Sequence, residues 1–133
     1  MAKILIVEDE AANVEILTRL LKRNSHEVLV AGTKEDAIAK ATDEQPALIL
    51  MDIGIPDSPG QSTNKHGGLE ATQQLKSGAT TSSIPIIALT ASAMLDEKTR
   101  FKDAGCDAVQ TKPYSFGPLL EAIQTHLARS RTP

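Results

Sequence analysis

The residues best suited to chemistry in this sequence stand where four apolar segments end. Two acidic residues follow the first segment, and an aspartate, a threonine and a lysine follow the others: Glu8, Asp9, Asp52, Thr90 and Lys112. A carboxylate can attack a phosphoryl group or bind a hard divalent cation. Hydroxyl and ammonium groups can donate hydrogen bonds to phosphate oxygens. Together these residue types indicate an aspartate that is phosphorylated beside a metal ion.

The apolar segments have the character of strands in a parallel sheet. Strand-like and helix-like patterns alternate five times, which is typical of a three-layer α/β fold. We predict strands at Lys3–Val7, Glu27–Ala31, Ala47–Met51, Ile84–Leu89 and Ala108–Thr111, and helices at about residues 11–23, 34–42, 69–76, 94–104 and 116–128. Ligands of such sheets bind beyond the carboxyl ends of the strands, so the five residues should converge on one pocket.

Each of these residues also has an ordinary structural explanation. Asp52 fits the start of a turn, and Glu8 and Asp9 fit the N-terminus of a helix. Thr90 fits a helix cap, and Lys112 fits a solvated surface lysine. Independent accidents would rarely place all five after successive strands, so their joint occurrence favours the site.

Three carboxylates in one pocket require a compensating cation. Like charges that are packed closely raise the pKa values of the groups that carry them. Mg²⁺ relieves this repulsion because it takes oxygen ligands and keeps several waters, and it can help to orient phosphoryl transfer. We therefore expect Mg²⁺ as the cofactor, with Mn²⁺ as a substitute.

Length, charge and cysteine content indicate one domain from a reducing compartment. The 133 residues carry a net charge of −3 and no run of Lys or Arg, which argues against nucleic acid as the main partner. Cys106 is the single cysteine, so no internal disulfide can form. No apolar run approaches the roughly 20 residues that cross a bilayer, and the N-terminus does not look like a signal peptide. We expect a cytoplasmic protein with no membrane association.

Five short motifs give the chain a resemblance to a known family. They are VED (Glu8, Asp9), MDIGIP (Asp52, Pro56), GLEAT (Gly68 to Thr72), ALTAS (Thr90, Ala91) and TKP (Lys112, Pro113). On these motifs the chain resembles the receiver domains of two-component response regulators. The resemblance covers residues 1–129 as one receiver domain, with 130–133 as a tail. Each motif alone would be weak evidence, whereas the set is highly specific.

The resemblance implies a fold and a role for each site residue. The fold would be a flavodoxin-like three-layer sandwich with five helices and a five-stranded parallel sheet of order 2-1-3-4-5. Asp52 would accept a phosphoryl group from a phosphohistidine of a sensor histidine kinase or a histidine phosphotransfer protein. The other implied roles are Mg²⁺ ligation by Asp9, Asp52, the backbone carbonyl of Gly54 and, through water, Glu8, and phosphoryl contacts by Thr90 and Lys112.

The function that we expect is that of a single-domain response regulator, since only a short tail follows the fifth helix. Phosphorylation would reshape the face made by the fourth helix, fifth strand and fifth helix, and so change the affinity for a downstream protein. The chain would be a monomer or weak dimer, and would catalyse only its own phosphorylation and dephosphorylation.

Several other functions remain open at this point. A phosphorelay shuttle, or a receiver fragment of a larger regulator or hybrid kinase, would show the same motifs. Less favoured are a pseudo-receiver that binds without phosphorylation and a flavodoxin, whose phosphate the acidic residues after the first strand would repel. An aspartyl-phosphate hydrolase is also less favoured, because Gly54 stands where that enzyme needs a second aspartate.

Two features depart from the family pattern. Residues 56–68 are polar, rich in turn formers and longer than the usual loop at this place. They follow Asp52 and should overhang the site, either as a tolerated surface loop or as a lid or partner-recognition element. Within them, Asp57 and His66 fit a solvated loop better than added metal ligands. Val109 stands where many receivers have an aromatic residue that swings inward upon phosphorylation.

Overall fold

Strands and helices alternate in the computed structural model much as the sequence predicts. The structure describes residues 2–90, 95–112 and 116–130, except for the side chains of 95–98, 129 and 130. The strands are β1 (Lys3–Val7), β2 (Glu27–Ala31), β3 (Leu48–Asp52), β4 (Ile55–Pro56), β5 (Thr63–Asn64), β6 (Ile86–Thr90) and β7 (Ala108–Thr111). The helices are α1 (Ala11–Arg23), α2 (Lys34–Glu44), α3 (Gly67–Ser77), α4 (Leu95–Ala104) and α5 (Phe116–Ser130).

Five of the strands form one parallel sheet of order β2-β1-β3-β6-β7. Counted along the predicted strands this is the order 2-1-3-4-5, so the prediction of a flavodoxin-like sheet is confirmed. β3 and β6 are buried along their whole length. Strands covered on both faces need apolar residues throughout, which explains the continuous apolar runs in the sequence. Asp52 and Thr90 are the last residues of β3 and β6, whereas we predicted that they would follow the strands.

Alternate residues of each strand face opposite sides of the sheet, and each side has its own apolar core. Leu5 and Ile49 belong to the core on the side of α2, α3 and α4, and Ile4 and Leu48 belong to the core on the side of α1 and α5. The helices contribute Ala37, Ala41, Leu69, Leu75 and Phe101 to the first core and Leu17, Leu21, Leu119, Ile123 and Leu127 to the second. The predicted three-layer sandwich is therefore present and is almost entirely aliphatic.

Helix ends follow local sequence signals. The Thr33 hydroxyl accepts a hydrogen bond from the N–H of Asp36 at 3.1 Å, as expected of an N-cap. Gly105 ends α4 with a φ of +110°, a conformation that favours glycine. Three helices are longer than predicted, since α2 continues to Glu44, α3 spans Gly67–Ser77 and α5 continues to Ser130.

The insertion after β3, which we predicted as an extended loop over about 56–68, contains a short hairpin. β4 and β5 pair in antiparallel fashion as a second, two-stranded sheet. In the connection between them, the N–H of Gln61 donates to the carbonyl of Ser58 at 3.2 Å across Pro59 and Gly60. Gly60 has a φ of +83°. Proline followed by a glycine with positive φ is the pattern that a type II turn requires.

Polar side chains join this hairpin to the helices beside it. Asn64 Nδ2 donates to Asp57 Oδ1 at 2.9 Å and to Glu70 Oε1 at 3.0 Å. Lys34 Nζ pairs with the same two carboxylate oxygens at 3.2 and 3.0 Å. The N–H of Glu35 donates to the Asp57 carbonyl at 3.0 Å. Hydrogen bonds from Asn64 and Lys34 lower the pKa of Asp57, so this residue has a structural partner and lies outside the acidic cluster described below.

No helix in the described ranges is long and apolar enough to cross a membrane. α5 ends at Ser130, and the rest of the predicted tail lies outside the described residues. Ala91 and Pro113 of the sequence motifs also lie outside them.

Candidate functional site

The register of the sheet brings the predicted site residues to one edge. The pairing of β1 with β3 continues to Val7 and Met51. Glu8 and Asp52 come directly after these residues, so they lie at the ends of neighbouring strands. Thr90 pairs with Thr111 at the end of β6 and β7, which places Lys112 beside Thr90. The N–H of Lys112 donates to the Thr90 carbonyl at 2.7 Å. The convergence that the strand ends predicted is therefore present in the structure.

Three carboxylates meet at this edge. One oxygen each from Glu8, Asp9 and Asp52 lies within 4.8 Å of the other two. Glu8 and Asp52 are buried, whereas Asp9 is exposed. The N–H groups of Asp9 and Glu10 donate to Glu8 Oε2 at 3.0 and 3.2 Å, and the N–H of Gly54 donates to Asp52 Oδ1 at 3.3 Å. These hydrogen bonds orient the two buried carboxylates.

Lys112 joins the two buried carboxylates. Its Nζ lies 3.0 Å from Asp52 Oδ2 and 3.3 Å from Glu8 Oε1. The lysine side chain is 23% exposed, against 10% for Asp52 and 0% for Glu8. An ammonium group at this depth is weakly screened by water, so it interacts strongly with both acids. The alternative of a solvated surface lysine does not describe this geometry.

The pKa values of the acids reflect their crowding. Burial raises the pKa of Asp52 to about 7, and its hydrogen bond with Glu8 acts in the same direction while Lys112 opposes both. Burial also acts to raise the pKa of Glu8, but hydrogen bonds with Asp52, the Glu10 N–H and Lys112 bring it below its ordinary value. Burial raises the pKa of the Asp9 carboxyl, and the charge of Glu8 adds to this. The single positive charge of Lys112 therefore does not balance the negative charge that the three carboxylates would carry if all were ionised.

The donor set fits a hard divalent cation. All three side chains are carboxylates, the ligands that Mg²⁺ and Mn²⁺ prefer, and the described residues place no His or Cys among them. A divalent ion would supply the positive charge that the buried acids still need. The exposure of Asp9 leaves one side of the cluster open to water, which Mg²⁺ retains as a ligand.

The start of α3 packs directly on the backbone that carries Asp52. The N–H of Gly68 donates to the Ile53 carbonyl at 2.8 Å. A Cβ at Gly68 would lie 2.2 Å from the Asp52 carbonyl oxygen, and one at Gly67 would lie 2.5 Å from the Ile55 carbonyl oxygen. Only glycine permits these approaches. The family motif includes Gly68, but the pattern of residues alone did not predict its contact with the Asp52 backbone.

A cleft of about 390 Å³ opens over the site, and residues outside the predicted set also line it. Its floor includes Asp52, Gly54, Thr90 and Lys112. It is also lined by Thr63, Lys65 and His66, which precede α3, by Arg100 and Phe101 of α4, and by the exposed acid Glu10. The sequence analysis missed Lys65 and Arg100, because a single cation in a polar segment has no distinguishing spacing. His66 is exposed and lies outside the acidic cluster.

Comparison with known proteins extends the likeness to whole chains. The family model described as the response regulator receiver domain matches residues 4–124. Protein PilH from Pseudomonas aeruginosa is 37% identical over 128 residues, which cover 96% of this chain and 99% of PilH. The polar-differentiation response regulator DivK from Brucella ovis is 33% identical over 124 residues, which cover 93% of this chain and 94% of DivK.

A solved structure with the same architecture has a metal ion in its cleft. It is the receiver domain of a sensor histidine kinase from Pseudomonas aeruginosa PAO1, with a magnesium ion coordinated in the active site cleft. It matches this chain with a TM-score of 0.83 and 25% identity, over 96% of this chain and 98% of that one. The likeness therefore covers the fold as well as the sequence.

Proposed function

The chain belongs to the response regulator receiver domain family, and on this basis we propose that it accepts a phosphoryl group on Asp52 from a histidine kinase or phosphotransfer protein. Members of this family are signalling proteins and not classical enzymes. The observation that carries the proposal is the 3.0 Å contact of Lys112 Nζ with Asp52 Oδ2 inside a cluster of three carboxylates. A nucleophile, a cation for the incoming oxygens and a set of metal ligands thus share one pocket.

In the proposed reaction, a carboxylate oxygen of Asp52 attacks the phosphorus of the phosphohistidine. A P–O bond forms and gives an acyl phosphate, while the P–N bond breaks and its electron pair stays on the histidine nitrogen, which takes a proton from solvent. The Lys112 ammonium pairs with the phosphoryl oxygens, and the Thr90 hydroxyl donates to one of them. Attack by water later restores the Asp52 carboxylate and releases inorganic phosphate.

The groups proposed to hold the divalent cation are Asp9, Asp52, the Gly54 carbonyl and, through water, Glu8. Glu8 has an indirect role because both of its carboxylate oxygens already accept hydrogen bonds, from two backbone N–H groups and from Lys112. When bound, the ion supplies positive charge for the carboxylates and the incoming phosphate.

The proposed output is a change of affinity for a downstream protein. Thr90 is the last residue of β6, and Lys112 is the first residue after β7. A phosphoryl group that contacts both would therefore act on the face of α4, β7 and α5. Contacts made only in the phosphorylated form would bias a two-state equilibrium of this face. Val109, which is half-buried on β7, has no ring that could report the state. A phosphorelay shuttle is the alternative output, and transfer from Asp52 back to a histidine would identify it.

Intact mass after incubation with acetyl phosphate and Mg²⁺ tests the proposed acceptor. We expect one phosphoryl adduct on the wild type and on the control variant Asp57→Asn, which removes an acid from the hairpin outside the cluster. We expect none on Asp52→Asn, or on the wild type in EDTA. A folded wild type without an adduct, or an adduct on Asp52→Asn, would refute the proposal.

A further inference from the structure

Two cations from different elements line the cleft that contains Asp52. Lys65 comes from the segment between β5 and α3, and Arg100 comes from α4. Both side chains are exposed. Five other lysines form ion pairs with carboxylates, namely Lys3, Lys34, Lys40, Lys76 and Lys112. Among the residues that the structure describes, Lys65 has no such partner; Lys22 and Lys102 share this property, but only Lys65 of the three lines the cleft.

The hairpin holds Lys65 at this place. Asn64, the residue before it, bonds to the carboxylates of Asp57 and Glu70. His66, the residue after it, donates its N–H to Asn64 Oδ1 at 3.0 Å, and its carbonyl accepts from the N–H of Glu70 at 3.0 Å. The residues on both sides of Lys65 are therefore hydrogen-bonded, which fixes where the Lys65 side chain leaves the backbone beside the cleft.

The acidic groups in and beside the cleft repel an anionic ligand, and the two cations reduce this repulsion. Asp52 and Glu10 line the cleft, and Glu8 and Asp9 lie in the acidic cluster with Asp52, whereas Lys112 is the one ammonium in contact with that cluster among the described residues. A phosphoryl donor carries negative oxygens and is repelled by acids that it must approach. Cations at the entrance of a cleft raise the local concentration of an anion and favour its approach. The positions of Lys65 and Arg100 meet this need.

We propose that Lys65 and Arg100 form a cationic rim that binds the phosphoryl oxygens of the donor before transfer to Asp52. This assignment rests on the proposed function of the site. The ligand chemistry is a tetrahedral phosphate ester or phosphoramidate bearing ionised oxygens, free in solution or carried on a histidine. The insertion thus gives the acceptor site a binding element that the five strand-end residues do not supply.

The test compares phosphorylation rates of charge-neutral variants of the full chain at saturating Mg²⁺. Lys65→Gln and Arg100→Gln remove one rim charge each. Lys102→Gln is the matched control, because Lys102 is an exposed cation on α4 that does not line the cleft. Acetyl phosphate and phosphoramidate serve as donors, the second because its P–N bond is that of a phosphohistidine.

With both donors, we expect the second-order rate constant to fall about three- to tenfold in each rim variant and to stay within about twofold in Lys102→Gln. Lys65→Arg should keep the wild-type rate, because it keeps the charge. Raising the ionic strength from about 0.05 to about 0.5 M should slow the wild type more than Lys65→Gln.

The outcomes separate this proposal from the one on which it rests. A wild type that forms no adduct with either donor overturns the acceptor function itself. A wild type that is phosphorylated, with rim variants that behave like Lys102→Gln, refutes the rim and leaves the acceptor function standing. A loss of rate with acetyl phosphate alone would place the cations on the acyl group and would overturn their assignment to phosphoryl oxygens.

Discussion

The substitution Gly68→Ala tests whether the start of α3 and the backbone of Asp52 form one packed unit. The added Cβ would lie 2.2 Å from the Asp52 carbonyl oxygen, 2.7 Å from Ile53 Cα and 2.9 Å from the Asp52 carbonyl carbon. All three neighbours are backbone atoms, which cannot rotate away as a side chain can. Ordinary contact begins near 3.4 Å, so helix and strand end must separate by about 1.2 Å.

This separation has a cost in stability and a cost in function. Overpacking of a close contact costs about 1–3 kcal/mol. Loss of the 2.8 Å hydrogen bond from the Gly68 N–H to Ile53 adds about 1 kcal/mol. We therefore expect the free energy of unfolding, from urea titration followed by circular dichroism, to fall by about 2–4 kcal/mol. Phosphorylation by acetyl phosphate should also slow, because the displaced backbone carries Asp52.

Gly117→Ala is the matched control. A Cβ there meets no atom of the described residues within 4 Å, and Gly117 lies in the first turn of α5. The same chemical change should leave stability unchanged or raise it by up to about 1 kcal/mol, because alanine is the better helix former. The packing argument fails if Gly68→Ala unfolds within about 0.5 kcal/mol of the wild type and is phosphorylated at the same rate.

Three further predictions follow from other contacts. Lys76→Met should lower the free energy of unfolding by about 1–3 kcal/mol, because Asp107 loses its 2.9 Å ion pair. The exposed residue Lys22 provides the control, and a Lys76→Met effect within about 0.5 kcal/mol of that of Lys22→Met would contradict this. Burial raises the pKa of the Cys106 thiol to about 11 and limits access to it, so at pH 9 iodoacetamide should alkylate the native protein at least about fiftyfold more slowly than the urea-unfolded chain, and equal rates would contradict this. The pKa of Asp52 is about 7 in the folded state, against an ordinary value of 3.8. Protonation of Asp52 therefore stabilises the fold fully below about pH 4, and this stabilisation is lost as the pH rises through 7. Thermal unfolding in EDTA should therefore show Asp52→Asn gaining on the wild type from pH 5 to pH 8, and a constant difference would refute the pKa assignment.

The sheet and the inner site were predictable because both depend on short-range patterns. Buried parallel strands need continuous apolar runs, and a polar residue at the end of such a run must lie at the carboxyl edge of the sheet. Asp52 and Thr90 satisfy both conditions, and the observed register brings Glu8 and Lys112 beside them. The errors of one or two residues at strand ends did not matter, because the edge of the sheet stays the same.

The hairpin and the outer cleft were not predictable from local patterns. Strands of two residues have no measurable alternation, and the turn formers of 56–68 fit an irregular loop equally well. Part of what stabilises the hairpin is distant in sequence, since Asp57 pairs with Lys34 of α2. The contribution of Lys65 to the cleft depends on that fold, so no spacing in the sequence could indicate it.

The contacts of the insertion favour a fixed wall over a closing lid. Its first strand begins three residues after Asp52, and its second strand leads into Gly67 and Gly68, which pack on the backbone of residues 52–55. The hairpin is thus connected at both of its ends to segments that pack on each other, namely the backbone after Asp52 and the start of α3. Closure over the site would have to break the contacts of Asp57 with Lys34 and of Asn64 with Glu70, and also the contact of Gly68 with Ile53. A fixed wall that presents cations to an incoming phosphoryl group requires none of these changes. Amide hydrogen exchange can decide between them, because a lid predicts fast exchange at 63–68, whereas a fixed wall predicts protection of the Gly68 N–H close to that of β3.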